Sequence, residues 1–352
     1  MMGSSKATRR KSRKKRRRLA VAAITSLIVV TLVMVGGFVY TLYLLGLVNF
    51  VNTENESFGS VTDIDESEAI DPSVAGIVPD DPITINDLAE SVDDIAVQGN
   101  TKVITNILLL GVETDRKDNY IGRSDTNIIV SINKHTKTIK LISLLRDTYV
   151  SIPGRERNKL NAAFRFGGFS LLQQTIEENY RLKIDRFVAV NFSAFSSIVD
   201  AMGGVDIELT EREAEIVKVG NVAKSYHLNG KKALDYVRIR KIGDDWGRTS
   251  RQRTLLKALM KKAKNMDRLT MMGTLDKVLS KASTNMKRTE FLGYIMNAPS
   301  YLGYEIKEFH VPERSKCNTP RVPIPGTTYV MEVVELKDSK AAILELHHEI
   351  YG

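Results

Sequence analysis

Two kinds of apolar stretch organise this chain. From Leu19 to Val48, thirty residues pass without a charge. At about 1.5 Å per residue, such a helix exceeds the roughly 30 Å hydrocarbon core of a bilayer, so one tilted membrane span is expected. After position 100 the apolar runs are shorter and punctuated. Ile104–Leu110 (ITNILLL) is continuous and stops at Gly111, the pattern of a strand covered on both faces. Thr126–Ile132 and Thr138–Leu145 read as two more strands, with a hairpin turn at Asn133–Lys137. Residues 169–180 carry helical spacing. Phe187–Asn191 reads as a strand, Ser193–Met202 as a helix and Val205–Leu209 as a strand. Helices are expected over 231–240, 248–265, 270–281, 286–297 and 339–350, a late strand at Ile306–Val311, and a short helix within 84–97. The alternation predicts an α/β fold: a mixed central sheet flanked by helices (αβα), preceded by one transmembrane helix.

Charge sharpens this layout. Residues 1–18 hold ten Lys/Arg and no acid, and residues 54–100 hold thirteen Asp/Glu and no Lys/Arg. A basic flank on one side of an apolar span and acids on the other predict a cytoplasmic N-terminus and an extracellular remainder. The apolar stretch is about twice the 7–15 residues of a cleaved signal's core, which favours an uncleaved signal-anchor. The chain therefore divides into a basic tail (1–18), a signal-anchor (19–48), an acidic extracellular linker (49–100) and one extracellular domain (101–352), with its motifs concentrated in 103–256. The linker is too acidic and too poor in large apolar groups to fold alone. Outside the cell there is no nucleotide pool, so the energy for any synthesis has to arrive with the substrate. The basic tail lacks aromatic residues for stacking on bases, and its abutment on the span explains it as a topology signal, so no nucleic-acid partner is expected.

Candidate chemistry narrows by elimination. There is one cysteine, and the five histidines include only one close pair, His347 and His348, so a disulfide framework or a zinc site is not expected. No HExxH, GxSxG, P-loop or GxGxxG motif is present. Two polar clusters remain. The first comprises GVETDR (111–116), GRSDT (122–126) and LLRDTYV (144–150), each at the end of an apolar strand, where a sheet presents functional groups. The second is YVRIRK (236–241) with GDDWGRTSRQRT (243–254). Clustered guanidinium groups suit phosphate oxygens, which they grip bidentately. The carboxylates Glu113, Asp115, Asp125 and Asp245 would repel a phosphate unless a divalent cation lay between them. Arginines and acids without thiols or imidazoles point to pyrophosphate–Mg²⁺ chemistry.

Seven ordered blocks carry a resemblance: NILLLGVETDR, GRSDTNIIVSIN, LISLLRDTYVSIPG, NKLNAAFRFGG, FVAVNFSAFSSIVDAMGGVDIEL, LNGKKALDYVRIR and DDWGRTSRQR, between Asn106 and Arg253. Together they resemble the LytR-CpsA-Psr family. The resemblance implies transfer of a phospho-glycopolymer (teichoic acid, capsule or a related polymer) from an undecaprenyl-pyrophosphate lipid to peptidoglycan at a Gram-positive-type cell membrane. It implies Mg²⁺ (or Mn²⁺) on the diphosphate. By motif it assigns Arg123, Asp125, Arg146, Arg238 and Arg240 to the catalytic site, with Arg146, Arg238, Arg240, Arg248 and Gln252 on the substrate and Lys159 at a recurrent basic position. Asp125 binds the metal together with Glu113 or Asp115; the family usually has Asp where this chain has Glu113. Asp245 is the candidate general base, because it lies among the arginines. Two other readings stand beside this one: hydrolysis of the polyprenyl pyrophosphate, with water as acceptor, and a membrane-bound regulator without transferase activity.

Overall fold

The computed structural model describes residues 40, 43–51, 92–99, 103–112, 122–324 and 329–352. The contacts divide the chain into two units, residues 1–47 and 48–352. In the first, residues 43–47 are helical and the rings of Tyr40 and Tyr43 lie 6.3 Å apart. Among the described residues no helix is long and apolar enough to cross a membrane. The span expected over 19–48 lies largely outside those residues, as do the linker up to Ser91 and the carboxylates Glu113 and Asp115.

The second unit is built on a seven-stranded mixed sheet. Its strands are β1 (Asn49–Phe50), β2 (Ile104–Val112), β3 (Ser124–Asn133), β4 (Thr138–Leu144), β7 (Arg186–Asn191), β10 (Ala282–Thr284) and β11 (Glu305–Val311), in the spatial order β1-β10-β7-β2-β3-β4-β11. Strands β2, β3 and β4 run antiparallel to their neighbours in a meander, while β7 joins β2 and β11 joins β4 in parallel. Between them lie β5 (Tyr149–Val150) and β6 (Asn158–Lys159), which pair with each other, and the hairpin of β8 (Val205–Leu209) and β9 (Lys224–Leu228). After β11 come four short strands, β12 (Cys317–Asn318), β13 (Arg321–Pro323), β14 (Val330–Glu332) and β15 (Glu335–Leu336). The helices are α1 (Leu160–Tyr180), α2 (Phe192–Ala201), α3 (Glu211–Val217), α4 (Gly230–Val237), α5 (Asp245–Lys264), α6 (Arg268–Leu279), α7 (Arg288–Tyr301) and α8 (Ser339–Tyr351).

The continuous apolar runs explain why both sheet faces are covered. Side chains alternate along a strand. Leu108, Leu110, Ile129, Ile142 and Leu144 pack one way, against Phe164, Leu172 and Ile176 of α1 and Leu346 and Ile350 of α8. Ile107, Ile128, Ile139 and Leu141 pack the other way, towards Leu256 and Met260 of α5 and Phe291 and Tyr294 of α7. A third core joins Val205, Ile207 and Leu209 of β8 to Tyr236, Ile239 and Leu255. Phe164 and Phe169 belong to the main core, where the rings of Phe169 and Phe187 lie 3.9 Å apart.

Several boundaries differ from the sequence expectation for local reasons. The helix expected from residue 169 begins at Leu160, with a non-helical break at Gly167–Gly168, where Gly168 has φ +59. That left-handed conformation costs glycine little and other residues more. Helix α4 ends at Val237, so Arg238 is its C-cap and Arg240 lies beyond it, on neither helix nor strand. Residues 92–99, part of the expected short helix, are turns and an isolated bridge between Gln98 and Leu182.

Candidate functional site

The turn after β4 places Arg146. Thr148 donates its hydroxyl to the Leu145 carbonyl at 2.8 Å and its amide to the same oxygen at 3.2 Å. The Arg146 carbonyl accepts from the Asn161 amide at 3.1 Å. Thus the turn is closed from within and pinned to α1, and Arg146 is held with 9% exposure. Its Nη1 lies 2.6 Å from Asp125 Oδ1 at the start of β3, and its Nε lies 3.5 Å from both Asp147 and Asp245. Lys159 is buried, with Nζ 3.3 Å from Asp147 Oδ1.

A second set enters on α5. The Asp244 side chain accepts from the Gly247 amide at 3.1 Å and caps the helix. Asp245 therefore falls in the first turn, and Arg248, three residues on, faces it as an ion pair. Burial pushes the Asp245 carboxyl up to about 6; Asp147 and Asp125 push in the same direction, against Arg248 and Arg146. Burial also holds the Arg248 guanidinium below its ordinary range, opposed by Asp245. Asp245 Oδ2, Arg248 Nε and Gln252 Oε1 are buried without a hydrogen-bond partner. Unpartnered buried polar atoms at one place mark a site prepared for something polar.

These residues line a cavity of about 650 Å³. Arg146, Arg240, Asp245 and Arg248 are on its wall, with Asp147 and Asp244. Asp125 and Lys159 reach the cavity through Arg146 and Asp147 respectively. Arg123 and Arg238 are not among its lining residues: Arg123 directly precedes β3, and the Arg238 guanidinium stands 4.4 Å from the centroid of the Phe192 ring. Gln252 lies one turn beyond Arg248 on α5 and is half-buried.

Sequence reasoning missed several contributors. Asp147 stands beside Arg146 in the same motif. Arg251 is buried, donates to the carbonyls of Ile239 (2.8 Å) and Ile242 (3.3 Å), and so fixes the segment that carries Arg240. Trp246 donates Nε1 to the Pro312 carbonyl at 2.9 Å, and Arg314 pairs with Asp244 at 2.7 Å. Arg314, Asn318, Thr319 and Glu332, all on the cavity wall, come from short segments with no periodic signal.

The donor set fits a hard divalent cation. Asp125, the one expected metal ligand among the described residues, offers oxygen, as Mg²⁺ prefers, and Asp147 is a second carboxylate on the same arginine. Among the described residues, no three carboxylates are close enough to hold a metal by themselves.

The sequence model of the LytR_cpsA_psr family matches residues 80–340. The chain belongs to this family. Among relatives of this LytR_cpsA_psr chain is the polyisoprenyl-teichoic acid–peptidoglycan teichoic acid transferase TagU of Oceanobacillus iheyensis. It is 40% identical over 183 residues, covering 49% of this chain and 55% of that protein. The chain thus spans about half the length of the curated relatives it matches. The structure of TagT bound to LI-WTA superposes with a TM-score of 0.56 at 26% identity, over 71% of this chain and 90% of that one. YwtF (TagT) with bound octaprenyl pyrophosphate lipid gives 0.53 at 25% identity, over 74% and 95%.

Proposed function

We propose that this protein transfers a phospho-glycopolymer from an undecaprenyl-pyrophosphate carrier to peptidoglycan. The observation that carries the reading is the convergence of Arg146, Arg240 and Arg248 with Asp245 on one cavity. Guanidinium groups of that number suit a diphosphate and the charge that develops on it during transfer. Asp245, with its raised pKa, suits a group that takes a proton near neutral pH. The kinship with TagU, and the likeness to a TagT that binds octaprenyl pyrophosphate, support the same reading.

In this reading an acceptor sugar hydroxyl attacks the polymer-side phosphorus, and its proton passes to Asp245. The bond from that phosphorus to the bridging oxygen breaks, and the electron pair leaves with undecaprenyl phosphate. The polymer ends as a phosphodiester on the acceptor. Arg146, Arg240 and Arg248 hold the diphosphate in line and balance the leaving charge. In this reading Lys159 supports the site through Asp147, while Arg123, Arg238 and Gln252, which do not line the cavity, serve the substrate beyond it. Asp125, with Glu113 or Asp115, would hold a Mg²⁺, which would supply neutralising charge to the diphosphate. The chain is anchored once in the cell membrane with its N-terminus inside, which brings the site to its lipid substrate.

The test supplies full-length protein in membranes with a labelled polyprenyl-diphosphate-linked polymer and purified peptidoglycan. Label entering peptidoglycan, lost on chelation and restored by Mg²⁺, is the expected result. Label released as free phosphorylated polymer in the presence of peptidoglycan would instead make the protein a hydrolase. No turnover of any kind by the intact chain would leave the regulator reading.

A further inference from the structure

The cavity has two unlike walls. One carries Arg146, Arg240 and Arg248 around Asp245. The other comes from the chain after β11 and presents Arg314, Asn318, Thr319 and Glu332; Trp246 also lines the cavity. On the second wall the single cation is already matched, because Arg314 lies 2.7 Å from Asp244. Glu332 adds a carboxylate, with Arg321 as its cross-strand partner in the β13–β14 pair. With a carboxylate beside each cation, such a surface offers a phosphate less than the first wall does. What it offers is an amide, a hydroxyl, a carboxylate and an indole ring.

We infer that this second wall is the subsite for the acceptor glycan, a neutral amino-sugar chain whose hydroxyl it delivers to Asp245. The inference rests on the transferase reading and adds the place of the second substrate. Amide and carboxylate groups exchange hydrogen bonds with sugar hydroxyls, and an aromatic face covers the apolar side of a pyranose ring. The Trp246 N–H is committed to the Pro312 carbonyl, and the Arg314 guanidinium stands 6.0 Å from the centroid of its ring, so indole and guanidinium form this part of the wall together. The ring also packs with Leu145, Cys317 and Val334, which hold it in place. The order along the chain supplies the geometry. Asp244, Asp245 and Trp246 are consecutive at the start of α5. Asp244 binds the second wall through Arg314, and Asp245 binds the first through Arg248 and Arg146. A hydroxyl held by the second wall therefore lies in the same cavity as the Asp245 carboxylate that takes its proton.

The second wall is joined to the first by backbone bonds as well. The Asp147 carbonyl accepts from the Val334 amide at 2.8 Å, and the Val334 carbonyl accepts from the Tyr149 amide at 2.8 Å. The two subsites are thus fixed relative to each other through the Arg146 turn.

Trp246 is the one tryptophan of the chain, so its emission reports on this cavity alone. The full-length protein is titrated with a soluble β-1,4-linked amino-sugar tetrasaccharide and, separately, with a short-chain polyprenyl diphosphate. Emission is followed in parallel with calorimetry, so that an optically silent binding event is also counted. The tetrasaccharide is expected to bind saturably. The Asn318→Ala/Glu332→Ala double variant, altered only at exposed side chains, is expected to weaken it about tenfold, the loss of one or two hydrogen bonds, and Arg240→Ala to leave it unchanged. The diphosphate is expected to show the reverse dependence. Tetrasaccharide affinity indifferent to the double variant, or no tetrasaccharide binding at all, overturns the inference. So does a double variant that weakens the diphosphate instead, which would assign the wall to the donor. Binding as expected in a protein that transfers no polymer would overturn the transferase reading while leaving the sugar subsite in place.

Discussion

Arg146 Nη1 and Asp125 Oδ1 lie 2.6 Å apart, tying the turn after β4 to the first residues of β3. The pair joins a residue proposed for the diphosphate with one proposed for the metal. Arg146 is also within 3.5 Å of Asp147 and Asp245. It therefore has two functions, and its removal should show both. Arg146→Ala leaves three carboxylates facing one another in a poorly solvated place. The expected cost is about 3–5 kcal/mol of stability, as for other buried ion pairs that lose one partner, together with loss of transfer. Denaturant unfolding alongside the transfer assay measures the two effects.

Arg240 provides the contrast. It lines the same cavity but is exposed. Arg240→Ala should change stability by no more than about 0.5 kcal/mol while lowering transfer roughly 10²–10³-fold, the usual range for one charge-stabilising donor. Equal stability losses in the two variants would contradict the division of labour drawn from their burial.

The Asp245 carboxyl, pushed up to about 6 mainly by burial, sets an expected pH dependence. As a base it works only when ionised, so transfer should rise with pH through about 6 and then level. The stability effect has the opposite sign. Between the ordinary carboxylate value and 6, the folded protein holds a proton that the unfolded chain has released, so stability falls as pH rises through that window. Asp245→Asn should remove the acid limb of the rate profile together with most of the activity. It should also flatten stability across the same window, which unfolding at pH 4 to 7 would show.

Gly230 opens α4 where it meets α2. A Cβ there would come within 2.0 Å of the Ser196 carbonyl oxygen, and the Gly230 amide donates to Asp200 Oδ1 at 2.7 Å. Gly230→Ala must push the two helices apart, at an expected cost of about 1–3 kcal/mol. Because α4 leads into Arg238 and Arg240, the KM for the lipid donor should rise more than kcat falls. Thermal unfolding and steady-state kinetics read these two outcomes.

The central strands were legible because a two-sided burial requirement leaves a long apolar run. β2, β3, β4 and β7 each fall within three residues of their expected limits. The minor hairpin was half legible: β8 alternates apolar and polar residues, whereas β9 (KSYHL) is mostly exposed and carries no such signal. Of the site, the arginines and Asp245 announced themselves by clustering in motifs, yet Arg123 and Arg238 do not line the cavity that Arg146, Arg240 and Arg248 share. The extent of α4 accounts for part of this. The helix stops at Val237, so Arg238 caps its end, and the buried Ile239 turns the chain before Arg240. Arg314, Asn318, Thr319 and Glu332 were invisible because a three-residue 3-10 turn, strands of two or three residues and the loop between them have too little length to show a period.

Strand β11 pairs in parallel with β4, and α8 places Leu346 and Ile350 in the main core. The sheet edge and part of one layer of the interior thus come from the segment after Tyr304, and the cavity wall from Arg314 to Val334 belongs to the same segment. Every motif arginine precedes it in sequence, so the enclosure that turns them into a pocket depends on residues far from any motif. Loosening the β11 edge would therefore open the pocket without touching one of those arginines.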